Sequence, residues 1–213
     1  MGRDFYSPGG TSLYLSILLR PKLKPDALFQ VIFGAAASVA ECAAAFLPPS
    51  VNVEIKWPND VMLEGRKTSG MNLPAKVENG AVQWAILGIG VNVDNPAGSF
   101  PAELRDIATS LRIAGDQSVD RIEFGRALLQ KLERTLEDLE SGRFAAVFDR
   151  WHDFFKMSGR RVQIGGPGVN RQFEGVVSGV EADGALILKT SAGIEKVLAG
   201  DVQLIESSKP STP

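Results

Sequence analysis

Apolar residues in the first part of the chain recur with two different spacings. Residues 13–19 form a short apolar run between glycine and proline residues, which predicts a buried strand. Between residues 28 and 43 the apolar positions recur every three or four residues, which predicts a helix with one apolar face. Pro25-Asp26 suits the first turn of this helix, and Pro48-Pro49 ends it. Further strands are predicted at residues 51–56, 61–63, 67–73 and 81–93.

The second part of the chain changes from helical to strand periodicity. Residues 94–118 are irregular, and loops of this length are often functional lids or partner surfaces. Asp120 and Glu123 form a capping box before an amphipathic helix, and an aromatic-rich helix is predicted near residues 144–155. Five short strands separated by turns then predict a small closed barrel: residues 162–164, 173–180, 185–188, 194–197 and 202–205.

These elements predict an α/β (α+β) protein, in which a mixed β-sheet flanked by helices precedes a small β-barrel. The chain of 213 residues is long enough for one substantial core and a smaller second one. The predicted boundaries are residues 1–157 for the larger domain, 158–206 for the barrel and 207–213 for a disordered tail.

Composition and charge exclude several classes of protein. The formal net charge is −2, so the chain lacks the basic field that nucleic-acid binding requires. No apolar run reaches the length of a membrane span and the N-terminus lacks a secretory signal, so we expect no membrane partner. A single cysteine, Cys42, excludes an intrachain disulfide and favours a cytoplasmic location. Cys42 and the single histidine, His152, are interpreted as packing residues rather than reactive groups.

The pentapeptide KWPND at residues 56–60 places a cation, an amide and a carboxylate in a turn after a buried strand. Hairpin geometry should bring Lys67, on the returning strand, toward the same end of the sheet as Lys56 and Asp60. A lysine can hold a carboxylate and a phosphate, and an aspartate can hold magnesium on a nucleotide. Acid activation by ATP requires both, because negative charge gathers on phosphorus in the transition state. By chemistry alone, a proline turn with a surface ion pair explains the motif equally well.

A second motif, GIGVN at residues 88–92, ends the longest predicted strand. Glycine in such a strand allows a ligand to lie against the backbone, and Asn92 offers a neutral donor and acceptor. A Gly-x-Gly in a strand also marks a bulge or a bend, so this motif has little weight by itself.

Taken in order, these segments resemble the signature of biotin–protein ligases. The matching residues are KWPND at 56–60, Gly65-Arg66-Lys67 leading to Gly70, and LGIGVNV at 87–93. Residues 5–10 and 13–16 are similar to the segment after the family's glycine- and arginine-rich biotin loop, and residues 175–186 resemble its SH3-like domain. The resemblance covers residues 2–205 and implies a class II aminoacyl-tRNA-synthetase-like catalytic domain followed by an SH3-like β-barrel.

The resemblance also implies a reaction and its site. ATP would adenylate biotin with the help of Mg²⁺, and a lysine of a biotin carboxyl carrier protein would then take biotin from biotinyl-5'-AMP. Lys67, Asp60 and Lys56 are the implied catalytic residues, and Asp60 would hold Mg²⁺ through ATP. The residues implied to bind biotin or ATP are Arg3, Asn59, Lys67, Gly70, Gly88, Gly90 and Asn92. Neither step needs a protein nucleophile.

The sequence departs from the family pattern at two places. The family's biotin loop would lie before Met1, with Arg3 as its surviving arginine, so we expect a truncated or partly degenerate member without a DNA-binding domain. After Gly70 the family continues with aliphatic residues and a glutamate, whereas this chain has MNLPAK at residues 71–76. Pro74 cannot donate to a central ladder, so the strand must end or lie at an edge there. Because this strand contributes dimer contacts in some members, homodimer formation stays open.

Two other functions are compatible with the sequence. A lipoate or octanoate ligase or transferase shares the fold, although KWPND argues against it. A non-catalytic relative that binds ligand or carrier without turnover is the second alternative, because the family's biotin loop would lie before Met1.

Overall fold

Two β-sheets organise the part of the chain that the structure describes, and each belongs to a different unit. The computed structural model describes residues 9–166 and 172–205. Residues 9–55 and 59–154 form one compact unit, and residues 56–58 join the residues from 155 onward in a second. Arg3 and the predicted tail at 207–213 lie outside the described residues.

The first sheet has six strands in the order β1-β6-β4-β3-β2, with β5 pairing to β6. Every pairing with a defined register is antiparallel, and an isolated parallel bridge joins Lys67 to Ala108. The sequence predicted a mixed sheet, whereas the strand pairings whose register is defined in the described residues are antiparallel. The strands are β1 (Ser12–Leu19), β2 (Val53–Lys56), β3 (Asp60–Leu63), β4 (Arg66–Asn72), β5 (Ala75–Glu78) and β6 (Ala81–Asn92).

Pro74 ends β4, as the sequence predicted. β4 stops at Asn72, and the chain resumes as β5 beside an earlier part of β6. Proline has no N–H, but its carbonyl accepts a hydrogen bond from the Ile86 N–H at 2.9 Å. As a result, β4 pairs with residues 88–91 of β6 and β5 pairs with residues 81–85.

The long helices pack against one another and against the first sheet. A Cβ added to Gly34 of α1 would lie 2.5 Å from Thr135 Cγ2 of α3, so only glycine allows this approach. Asp120 caps α3 as predicted, accepting hydrogen bonds from the N–H groups of Glu123 and Ile122, and these bonds hold the pKa of Asp120 below its usual range. The helices are α1 (Phe29–Phe46), α2 (Leu111–Gly115), α3 (Arg121–Glu140) and α4 (Phe144–Asp153).

Helix α1 differs from its prediction in two respects. It begins at Phe29, because residues Pro25–Ala27 form a separate 3₁₀ turn. The segment Pro25–Phe46 is long enough to span a membrane, and its most apolar 18-residue window has a mean hydropathy of 1.6, so the prediction that no apolar run reaches that length is wrong. However, 61% of its most apolar window is buried inside the protein. Cys42 is fully buried within α1, as expected, and this burial raises the pKa of its thiol to about 11.

Alternate residues of β6 face two different environments. Ala85, Leu87, Ile89 and Val91 are buried on one face, which we call the helix face. On β1, Leu13 pairs with Val91 and therefore lies on the same face. Its side chain lies next to Gly125 of α3, so α3 covers this part of the helix face. The opposite face, which we call the glycine face, presents half-buried residues: Ile86, Gly88, Gly90 and Asn92.

The second unit contains the five short strands that the sequence predicted. They pair antiparallel in the order β10-β9-β8-β7-β11, and within the described residues no β10–β11 pairing closes them into a barrel. Trp57 belongs to this unit, and its buried indole N–H donates to the Gly184 carbonyl at 2.9 Å. The strands are β7 (Arg161–Gly165), β8 (Phe173–Val180), β9 (Leu186–Thr190), β10 (Gly193–Val197) and β11 (Asp201–Leu204).

Candidate active site

The glycine face places four residues in one row across four strands. Gly90 of β6 pairs with Tyr14 of β1 on one side and with Gly70 of β4 on the other. Gly70 in turn pairs with Asp60 of β3. Residues paired across antiparallel strands point to the same face of a sheet, so two glycines separate the side chains of Tyr14 and Asp60.

A β-bulge brings Lys67 to the same face. Val61 pairs with Ser69 but Met62 pairs with Lys67, so Thr68 is an extra residue in β4. In a regular strand Met62 would pair with Thr68, and Lys67 would point to the helix face. Because of the extra residue, Lys67 lies on the glycine face, with its Nζ 2.5 Å from Asp60 Oδ1.

The Lys67–Asp60 ion pair is partly exposed and closely packed against the backbone. The Lys67 and Asp60 side chains are 42% and 17% exposed, and ion pairs of this kind contribute at most about 1 kcal/mol to folding. A Cβ added to Gly70 would lie 2.9 Å from both Cε and Nζ of Lys67. The prediction that Asp60 and Lys67 meet is therefore confirmed, and glycine at position 70 leaves the space that the lysine occupies.

The loop after β6 holds the backbone of Lys67. The Lys67 N–H donates to the Ile107 carbonyl at 2.8 Å, and the Thr109 N–H donates to the Lys67 carbonyl at 2.9 Å. Strand β6 ends at Asn92, so beyond that point these bonds replace the β4–β6 hydrogen bonds. The Asn92 carboxamide donates to the Thr109 carbonyl at 3.0 Å and fixes the same segment. This part of the loop, which the sequence left open as a lid or a partner surface, supports Lys67.

Hydrogen bonds to the Asp94 side chain connect the beginning of this loop to its end. Its carboxylate accepts hydrogen bonds from Ser118 Oγ at 2.9 Å and from the Val119 N–H at 3.0 Å, with Arg112 Nη1 at 3.4 Å. Burial alone would raise the pKa of Asp94, but the hydrogen bonds from Val119 and Ser118, together with the charge of Arg112, hold it below its usual value.

A cavity of about 340 Å³ lies on the glycine face, within the usual size range of small-molecule sites. Lys67 and Gly70 border it, and the side chain of Asn72 extends over Gly88, where any Cβ would collide with Asn72 Oδ1. The lining residues are Tyr14, Leu15, Lys67, Gly70, Met71, Asn72, Gly88, Ile89 and Gly90.

The remaining predicted site residues occupy different positions. The Asn59 carboxamide donates to the Met71 carbonyl at 2.6 Å, so it stabilises the strand that borders the cavity. Lys56 is the last residue of β2 and is grouped with the second unit, so its catalytic role stays a prediction. Arg3 lies outside the described residues.

Metal binding at this site must depend on few protein ligands. Among the described residues, no group of three or more His, Cys, Asp or Glu side chains is placed to hold a metal ion. Magnesium on a nucleotide commonly uses one or two carboxylates together with phosphate oxygens and water. The Asp60 carboxylate, beside the cavity, fits that requirement.

Sequence reasoning missed three contributors to the site. Tyr14 and Asn72 line the cavity, and residues 107–109 hold Lys67 from the loop. Side chains alternate between the two faces along β1, so Tyr14 could have been placed on the glycine face if its pairing with Gly90 had been known. No local signal marks residues 107–109, because their contact with Lys67 depends on the tertiary path of the loop.

Known proteins share both the sequence pattern and the fold of this chain. Residues 1–153 match the family model for the Biotin/lipoate A/B protein ligase family, and residues 157–205 match the Biotin protein ligase C terminal domain. The Bifunctional ligase/repressor BirA of Bacillus spizizenii is 31% identical over 204 residues, covering 96% of this chain and 62% of that protein. The Biotin--[acetyl-CoA-carboxylase] ligase of Paracoccus denitrificans is 28% identical, covering 94% of this chain and 83% of that protein.

Solved structures agree with these matches. The apo structure of the biotin protein ligase from Aquifex aeolicus has a TM-score of 0.78 and 27% identity, covering 92% of this chain and 83% of that chain. The same enzyme in complex with biotin and ATP gives a TM-score of 0.77 at 26% identity, covering 92% of this chain and 79% of that chain. This chain spans 62% of the length of the BirA protein that it matches. The chain belongs to the Biotin/lipoate A/B protein ligase family.

Proposed function

We propose that this chain catalyses the ATP-dependent attachment of biotin to a lysine of a biotin carboxyl carrier protein, through biotinyl-5'-AMP. The observation that supports this proposal most directly is the Lys67–Asp60 pair beside a glycine-lined cavity on one face of the sheet. The Aquifex aeolicus relative, whose structure contains biotin and ATP, supports the choice of substrates.

The first step joins an acid to a nucleotide without a protein nucleophile. A carboxylate oxygen of biotin attacks the α-phosphorus of ATP, and the bond from that phosphorus to the bridging oxygen of pyrophosphate breaks. Negative charge increases on the phosphorus oxygens, so a fixed cation nearby stabilises the transition state. Lys67 fills this role, because its ammonium lies at the cavity and its backbone is held on two sides.

Asp60 and Lys67 would exchange partners when the nucleotide binds. Mg²⁺ on ATP neutralises phosphate charge, and Asp60 would hold it. The ammonium of Lys67, no longer paired with Asp60, would then contact the biotin carboxylate and the α-phosphate. The pair contributes at most about 1 kcal/mol to folding, so this exchange costs little stability.

The second step transfers biotin to the carrier protein. The carrier lysine amine attacks the acyl carbon of biotinyl-5'-AMP, the bond to the phosphate oxygen breaks, and AMP leaves while the ammonium proton passes to solvent. Lys56 is proposed as a further catalytic group, and ATP or biotin would be bound by Arg3, Asn59, Gly70, Gly88, Gly90 and Asn92. Residues 1–157 are the proposed catalytic domain, residues 158–206 the proposed SH3-like domain, and the cytoplasm the proposed location.

Pyrophosphate release with biotin and ATP tests the proposal. We expect release by the chain and a rate at least about 100-fold lower in Lys67→Met, because a preorganised charge at a reacting phosphate commonly contributes a factor of this size. Lys76→Met is the matched control, because Lys76 is paired with Glu78 on the same sheet and does not line the cavity. Its rate should equal that of the wild type.

The same assay separates the alternatives. Preference for lipoate or octanoate over biotin would replace the biotin ligase proposal with a lipoate-type activity. Biotin binding without pyrophosphate release would indicate a non-catalytic relative. Equal rates in Lys67→Met and the wild type would contradict the role proposed for Lys67.

A further inference from the structure

Three buried polar residues meet where β1 begins and β6 ends. Ser12 is the first residue of β1, Asn95 follows the end of β6, and Ser110 is the N-cap of α2. Each of the three is at most 3% exposed. A buried polar side chain has lost its hydrogen bonds to water, so it is costly unless protein groups replace them. The partners of these residues therefore show what the cluster holds together.

The Asn95 side chain binds the beginning of β1 with both ends of its carboxamide. Its Nδ2 donates to Thr11 Oγ1 at 3.0 Å, and its Oδ1 accepts from Ser12 Oγ at 3.0 Å. The neighbouring Asp94 N–H donates to the Thr11 carbonyl at 2.8 Å. A carboxamide whose donor and acceptor ends are both paired has one defined orientation. Asn95 thus fixes the beginning of the loop after β6 to the beginning of β1.

The main chain of Asn95 holds a later part of the same loop. Ser110 Oγ donates to the Asn95 carbonyl at 2.7 Å and accepts from the Ile113 N–H at 3.1 Å, so its hydroxyl is used in both directions. Ser110 follows Thr109, whose N–H donates to the Lys67 carbonyl at 2.9 Å. Hydrogen bonds and one peptide bond therefore connect β1 to the backbone of Lys67 through Asn95.

This connection joins two sides of the cavity. Tyr14 of β1 and Lys67 of β4 both line the cavity. The ladder between β4 and β6 covers residues 69–72 of β4, so on this side the backbone of Lys67 depends on the loop instead. A displacement of about 1 Å in a group that acts on a reacting centre can lower the rate by about 100-fold. The residue that fixes the loop can therefore affect the rate without touching a substrate.

We propose that Asn95 is a positioning residue, which places the ammonium of Lys67 at the reacting phosphate by fixing residues 107–110 to β1. This inference rests on the proposed function, which supplies the role of Lys67. Asn95 is fully buried and, among the described residues, is not one of those that line the cavity. Its substitution should therefore change the rate of the chemical step only while Lys67 is present to be positioned.

A double-mutant cycle on the full chain tests this inference. We would measure kcat for pyrophosphate release with biotin and ATP for Asn95→Ala, both in the wild-type background and in Lys67→Met. A residue that acts through Lys67 loses its effect when Lys67 is replaced, whereas a residue needed only for folding slows both backgrounds equally.

Ser38→Ala is the matched control, because Ser38 is another fully buried polar residue. Its hydroxyl donates to the Gly34 carbonyl at 2.8 Å and lies 3.0 Å from Thr135 Oγ1, so its partners belong to α1 and α3 rather than to the loop. This substitution removes buried hydrogen bonds of the same kind without disturbing the support of Lys67. Its kcat should equal that of its parent in both backgrounds.

We expect Asn95→Ala to lower kcat about 10-fold in the wild-type background and by less than about 2-fold in Lys67→Met. Thr11→Val is a milder variant, because it removes one hydrogen bond of the Asn95 carboxamide and keeps a similar side-chain shape. It should lower kcat about 3-fold with the same dependence on Lys67. Thermal unfolding of each variant confirms that the compared proteins are folded.

Two results would overturn the inference and leave the proposed function intact. The first is an unchanged kcat in both Asn95→Ala and Thr11→Val, and the second is equal slowing in the two backgrounds. A wild-type chain that releases no pyrophosphate with biotin and ATP would overturn both the inference and the proposed function.

Discussion

The helix face and the glycine face of β6 are formed by alternate residues of one strand, yet they serve different purposes. Leu87, Ile89 and Val91 are buried beneath the helices, whereas Gly88 and Gly90 line the cavity. Side chains of successive strand residues point in opposite directions, so one segment can supply a core and a ligand site at once. The stability of this unit therefore depends mainly on one face, and the proposed chemistry depends on the other.

The charged groups follow the same division. The Lys67–Asp60 pair lies on the glycine face, where solvent and ligand can reach it. On the helix face, charge would have to be desolvated at a cost of several kcal/mol, and the β6 residues on that face are apolar. Substitutions on the two faces should consequently have separable effects on unfolding free energy and on catalysis.

The largest expected effect on stability comes from the helix face. Leu87 is fully buried, so Leu87→Ala should lower the free energy of unfolding by about 2–5 kcal/mol, through lost burial and the cavity left behind. Urea denaturation measures this change. The biotin affinity of the remaining folded protein should stay within about 2-fold of the wild type. A large loss of affinity without loss of stability would contradict the division between the faces.

On the glycine face, Gly70→Ala should slow catalysis and leave the free energy of unfolding nearly unchanged. A Cβ at this position would meet Cε and Nζ of Lys67 at 2.9 Å, so the flexible lysine side chain must move away. We expect pyrophosphate release to slow by about 10-fold, while the unfolding free energy changes by less than about 1 kcal/mol.

Gly125→Ala is the matched control for this glycine substitution. A Cβ on Gly125 would lie 3.5 Å from Leu13, an ordinary contact distance, and the residue lies within α3. Alanine should raise the unfolding free energy by about 0.5–1 kcal/mol, through its helix propensity, and leave the rate unchanged. Equal loss of rate in both glycine variants would show that Lys67 displacement is not the cause.

The smallest expected effect concerns the loop that supports Lys67. The folded-state pKa of Asp94 is lowered, so its contribution to stability is present above the unfolded carboxyl pKa of about 3.9 and is lost as the pH falls through the lower folded value. Asp94→Ala should therefore lower the unfolding free energy by about 1 kcal/mol at pH 7 and by progressively less below pH 4. Urea denaturation across this pH range measures the difference. A constant difference between pH 7 and pH 3 would contradict this role of Asp94.

Much of the fold could be predicted from the sequence, because the signals are local. The period of apolar residues gave α1 and the strands of both sheets except β5, which it missed. The capping residues at Asp120 gave the beginning of α3, and Pro74 gave the end of β4. The charge and glycine motifs identified Asp60, Lys67 and Gly70, which the structure brings together. Two predictions failed. The sequence was expected to contain no apolar segment as long as a membrane span, but α1 and the turn before it form one that is largely buried by protein. The C-terminal strands were expected to form a closed barrel, but within the described residues their pairing does not close.

The sequence by itself therefore determined the order of the elements, the alternation that separates the two faces, and the residue types available for acid activation. Only the tertiary structure decided which side chains meet. The bulge at Thr68 turns Lys67 toward Asp60, residues 107–109 hold its backbone, and Asn72 extends over Gly88. Each of these depends on register between strands or on a long loop path. Such contacts join residues distant in sequence, and local periodicity contains no information about them.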